Sequence, residues 1–102
     1  MNYLLILQWP VHSGMNIDSI VAIEDNLIQR LSKGSEVDGH DFGSGEANIF
    51  IITKAPQKTF DESMEILKSI GYSDHVRIAF REISGKKYTV LWPHSSTDFM
   101  VK

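Results

Sequence analysis

The sequence predicts an α+β fold, a ferredoxin-like βαββαβ sandwich with one strand added at the carboxy terminus: an antiparallel sheet carrying two helices on one face. Three observations predict it. Short apolar runs bounded by Gly or Pro mark strands, two segments repeat their apolar residues at three and four as helices do, and these elements follow one another in the order strand, helix, hairpin, helix, hairpin. In that fold the strands lie side by side as 5-4-1-3-2, counted in chain order.

Each element has its own residue-level reason. Tyr3 to Trp9 is dense in apolar and aromatic side chains and stops at Pro10, which has no N–H for a ladder. From Asn16 to Lys33 the residues Ile20, Val21, Ile23, Leu27, Ile28 and Leu31 form the apolar stripe of a first helix, with Asn16 or Asp18 as its cap and Gly34 at its end. From Glu36 a weak edge strand runs into the turn Gly43-Ser44-Gly45 and returns as a buried strand through Ile49 to Thr53. Pro56 breaks that strand, and Thr59-Phe60-Asp61-Glu62 reads as a capping box opening a second helix with stripe Phe60, Met64, Leu67 and Ile70, closed by Gly71. Val76 to Glu82 and Lys87 to Trp92 flank Ser84-Gly85-Lys86 as a last hairpin, and Pro93 ends it.

The 102 residues suit one domain, 1–102, and an apolar content of 42% is enough to build a core. There is no cysteine, which excludes disulfides and thiolate metal sites. A net charge of -3 gives little drive toward nucleic acid or acidic lipid, so neither is an expected partner. The amino-terminal apolar run is short and lacks a basic flank, which reads as neither signal peptide nor membrane span; the expected location is the cytoplasm. No cofactor is implied.

Two consequences follow from the topology. The central strands are apolar on both parities, Leu4 and Ile6 against Leu5 and Leu7, then Ile49 and Ile51 against Phe50 and Ile52. Two helices cover one face only, so the other needs a cover: a second copy of the chain, a ligand, or the tail from Ser95 to Met100 folded back as a lid. The reading adopted is a homodimer. The second consequence is a polar rim. Antiparallel order brings His12, His40, Glu46, Asn48, His75 and His94 to one end of the sheet, with Trp9 and Trp92 beside them, a composition suited to a small polar ligand. The ligand-binding candidates are therefore Trp9, His12, Asp41, Ser44, Glu46, Asn48, Trp92 and His94.

The segment Asp38-Gly39-His40-Asp41-Phe42-Gly43-Ser44-Gly45-Glu46 is the densest in chemistry. Its glycines lead into a strand and not a helix, so it is no phosphate loop. Asp38 and His40, two apart, share a face of an ideal strand, and the carboxylate there would orient the ring as a general base; they are the catalytic candidates, with Glu46 and Asn48 positioning a substrate. The plainer reading is that Asp38 and Asp41 bond the hairpin backbone and Gly39 marks a bulge. No metal is assigned, because no ligand spacing specific to a metal occurs. Arg77 and Arg81 share a face of the fourth strand, and Tyr88, Val90 and Trp92 a face of the fifth.

The run Val37 to Ile51, with Leu7-Gln8-Trp9-Pro10 before it and Tyr88-Thr89-Val90-Leu91-Trp92-Pro93 after, resembles a family of small uncharacterised bacterial proteins, and the likeness spans nearly the whole chain. The architecture is similar to dimeric α+β barrel proteins, which include enzymes and plain binding modules. The resemblance implies bacterial origin and no particular chemistry. The functional expectation is a homodimeric, non-enzymatic binding or regulatory module with a His-rich ligand rim. Its alternatives are a small cofactor-independent enzyme using His40 as general base, and a protein-partner module of antitoxin or immunity type.

Overall fold

The computed structural model describes residues 2–93, 99 and 101. In chain order the elements are β1 (Tyr3–Pro10), a 3-10 turn at Val11–Ser13, α1 (Ile17–Arg30), β2 (Ser35–Gly43), β3 (Glu46–Thr53), α2 (Pro56–Ile70), β4 (Arg77–Glu82) and β5 (Thr89–Trp92). The five strands form one antiparallel sheet in the order β2-β3-β1-β4-β5, the order the sequence predicts. Both helices lie on one face, where Leu5, Leu7, Trp9, Ala47, Ile49, Ile51 and Ile78 meet Ile20, Ile23 and Leu27 of α1 and Phe60, Met64 and Leu67 of α2 in a single core. No helix among the described residues is long and apolar enough to cross a membrane.

Asn16 caps α1, its Oδ1 accepting from the Ser19 N–H at 2.9 Å. The buried stripe of this helix is Ile20, Ile23 and Leu27 alone. Val21 and Ile28, counted with the stripe from the sequence, sit one residue further round and are 42% and 63% exposed. The start of α2 also differs from expectation. Pro56 opens the helix at its first position instead of merely ending the strand, because that position needs no N–H and the ring pre-sets a helical φ. Thr59 therefore lies inside the helix and is not its cap. Its buried hydroxyl bonds Thr53 Oγ1 at 2.8 Å and Ser35 Oγ at 3.0 Å, tying α2 to β3 and β2. Glu62 reaches across to Ser32, accepting from its N–H at 3.0 Å and from its hydroxyl, and so stitches α2 to the end of α1. These bonds, with the Lys58 charge, hold the Glu62 carboxyl below the usual glutamate range.

The β2–β3 hairpin turns through Ser44 and Gly45, both at positive φ, 35° and 86°. That is the type I′ geometry whose twist matches the strands, and glycine takes its second position without steric cost. Both edge strands carry a bulge. In β2 the pairing steps from Val37↔Ile51 to Gly39↔Phe50, leaving Asp38 as the extra residue; in β5 it steps from Val90↔Ala79 to Trp92↔Ile78, leaving Leu91. Each bulge reverses the facing of everything beyond it. Trp92 accordingly turns to the helix side, whereas the sequence places it with Tyr88 and Val90.

Candidate functional site

The helix-free face is apolar at its centre and polar along one row. Leu4 and Ile6 of β1, Phe50 and Ile52 of β3, and Ala79 of β4 share this face, with Ile6 and Ala79 fully buried. One step toward the rim, Asp41, Asn48, Gln8 and Arg77 stand side by side on β2, β3, β1 and β4, each the direct register partner of the next. Gln8 and Asn48 are 0% exposed. Gln8 Nε2 donates to Asn48 Oδ1 at 3.0 Å, and Asn48 Nδ2 donates to Asp41 Oδ1 at 3.1 Å. An Asp thus closes one end of the row and an Arg the other, with the Arg77 guanidinium 5.6 Å from the Phe99 ring centroid. Phe99 also packs on Tyr88 at 5.2 Å between ring centroids, so this residue lends part of the cover over the β5 side of this face.

Glu46, two residues before Asn48 on the same face, completes the rim. Its Oε1 is buried and has no hydrogen-bond partner among the described residues. Buried carboxylate oxygens are normally paired, because losing water without a replacement donor is costly. The row and the glutamate together form an acceptor-rich rim: two carboxylates, Asp41 exposed and Glu46 half-buried, stand beside a buried amide pair.

The sequence-predicted residues divide between the two faces. Asp41, Glu46 and Asn48 are brought together as described. His40 is not with them. It pairs with Ile49 and therefore faces the helices, where its Nδ1 sits 2.8 Å from Glu24 Oε1 of α1 and its ring lies edge-on to Phe42. The carboxylate on His40 is thus Glu24 and not Asp38: the bulge takes Asp38 out of the alternation that would have set it beside the ring. The expected Asp38–His40 couple is corrected on that ground, and the sheet itself separates His40 from Glu46 and Asn48. Trp9 is a core residue, 1% exposed, its indole N–H spent on the Tyr72 carbonyl at 3.0 Å, which corrects its assignment to the ligand rim. His12 and His75 are exposed at the rim, and Ser44 is the exposed tip of the hairpin. His94, and the proposed lid apart from Phe99, lie outside the described residues. No group of three metal-ligating side chains occurs among the described residues.

Gln8 and Arg77 are the members of the row that sequence reading leaves out of the site. The signal for Gln8 is a lone amide on the parity of Leu4 and Ile6 in an otherwise apolar strand. No protein family, curated protein or solved structure matches the chain.

Proposed function

We propose that the protein is a small homodimeric binding or regulatory module whose helix-free rim takes a small polar ligand rich in N–H donors. One observation carries the reading. Two uncharged amides, Gln8 and Asn48, are fully buried in register across an apolar sheet face and lead to Asp41, beside a glutamate oxygen with no partner among the described residues. An apolar pair at those two positions would satisfy folding at least as well, and we read the amides as the fixed support that holds Asp41 in place for a ligand. An amine or guanidinium placed between Asp41 and Glu46 supplies the donor that Glu46 Oε1 lacks.

The dimer rests on the same face. Leu4, Phe50 and Ile52 are half-buried on the β1–β3 side, away from Phe99, and a second copy covers them while enclosing the row. The catalytic alternative loses ground because His40 stands on the other side of the sheet from the row. The test is light scattering at micromolar concentration together with thermal denaturation in a panel of small amines and guanidines. Twice the chain mass, and a rise in melting temperature that Glu46→Gln abolishes, support the reading. A monomer with no amine response overturns it.

A further inference from the structure

A groove lies on the side of the sheet opposite the amide row, and its origin is the bulge in β5. Helix α1 packs mainly on β2 and β3 and α2 on β1, which leaves the helix side of β5 open beside α2. The extra residue Leu91 turns Trp92 into that opening. The resulting groove, about 320 Å³, is lined by Phe60, Asp61, Met64, Glu65 and Lys68 of α2 and by Trp92. This is the lower end of the small-molecule range of ~300 to 1,000 Å³.

Its lining has two parts. Phe60 and Met64, four apart and each 7% exposed, show the outer edge of the core, and with the Trp92 indole they make an apolar wall. Asp61, Glu65 and Lys68, at spacings of four and three, form the adjoining charged stripe of the same helix. Asp61 accepts from Gln57 Nε2 at 3.1 Å, while neither Glu65 nor Lys68 is engaged in an ion pair among the described residues. The groove therefore presents an aromatic and thioether surface, two carboxylates at one end and an ammonium at the other. A purely cationic ligand meets Lys68, and a purely anionic one meets the carboxylates.

We propose that this groove binds a small zwitterion bearing an apolar side group, the chemistry of a free α-amino acid. Its ammonium lies toward Asp61 and Glu65, its carboxylate toward Lys68, and its side group against Phe60, Met64 and Trp92. The site is independent of the amide row, which lies across the sheet.

The experiment is NMR titration of the whole chain with L-phenylalanine and L-leucine, read at the Trp92 indole N–H. The Trp9 indole, buried and bonded to Tyr72, serves as the internal control for fold. Saturable shifts of Trp92 are expected with both amino acids. L-serine, which has no apolar group, phenethylamine, which has no carboxylate, and 3-phenylpropionate, which has no ammonium, bind more weakly. Glu65→Gln and Lys68→Gln, both at exposed positions, each weaken phenylalanine by up to about fivefold, the range for an exposed charge contact. The proposal is overturned by the absence of a saturable Trp92 shift, by phenethylamine or phenylpropionate binding as well as phenylalanine, or by indifference to both substitutions.

Discussion

Replacing Asn48 with Leu, alone and together with Gln8→Leu, separates a row kept for a ligand from a row kept for folding. Leucine nearly matches asparagine in shape, so the single change removes hydrogen bonds with little cavity. Asn48→Leu deletes the acceptor of Gln8 Nε2 at 3.0 Å and the donor to Asp41 at 3.1 Å. Asp41 is exposed and regains water. Gln8 is fully buried and loses this partner, which costs about 1 to 3 kcal/mol. Gln8→Leu costs less, about 1 kcal/mol, because Asn48 keeps Asp41. In the double variant both members of the bond are gone and apolar surface faces apolar surface, so stability returns to within ~0.5 kcal/mol of wild type or exceeds it. The coupling between the two sites is then about 2 to 4 kcal/mol, at the upper end for residues in direct contact. Urea unfolding followed by the fluorescence of buried Trp9 measures all four proteins of the cycle. A double variant destabilised by the sum of the singles refutes the reasoning, since the amides would then each serve the fold independently.

Three further outcomes follow from the geometry. Thr59→Ala should cost about 1 to 2 kcal/mol through its lost bonds to Thr53 and Ser35, and Thr59→Val nearly as much, without shortening α2; a loss of helical signal on circular dichroism would instead restore the capping role. Glu62→Gln should be less stable than wild type near ~pH 7, with a smaller deficit near ~pH 3. The folded carboxyl is held below its ordinary value by the Ser32 hydroxyl and N–H and by Lys58, so its stabilisation is full above that value and lost as pH falls through the folded one; paired urea titrations at both pH values check the closing gap. His40→Ala should cost less than ~1 kcal/mol, the range of an exposed ion pair, and leave amine binding at the row unchanged; loss of binding would return His40 to the site.

The sheet was legible because its information is local. A dense apolar run and its Pro stop mark β1, the Gly43-Ser44-Gly45 turn marks the hairpin, and the crossover rule then leaves few arrangements. Asp41, Glu46 and Asn48 were found because topology alone brings the end of β2 and the start of β3 to one rim. What failed was facing on the edge strands. Counting by two puts Asp38 beside His40 and Trp92 beside Val90, and a single extra residue in each strand undoes both. Glycine at 39 hints at the first bulge, while nothing around Leu91 marks the second. The capping box failed for a related reason: Thr59 and Glu62 have the right spacing, yet Pro56 starts the helix three residues earlier, and their side chains serve tertiary bonds. The Glu24 partner of His40 was beyond reach, because the approach of α1 to β2 is set by the packing of the whole core.

The most direct test of the amide row as a ligand site is the side-chain NH₂ signal of Gln8 and Asn48 in a nitrogen-15 NMR spectrum during titration with agmatine, which carries both an amine and a guanidinium. Saturable shifts of both amides are expected at millimolar concentrations or below, lost in Glu46→Gln, with the Trp9 indole unmoved. Shifts confined to other surfaces, or none at either amide, would contradict it.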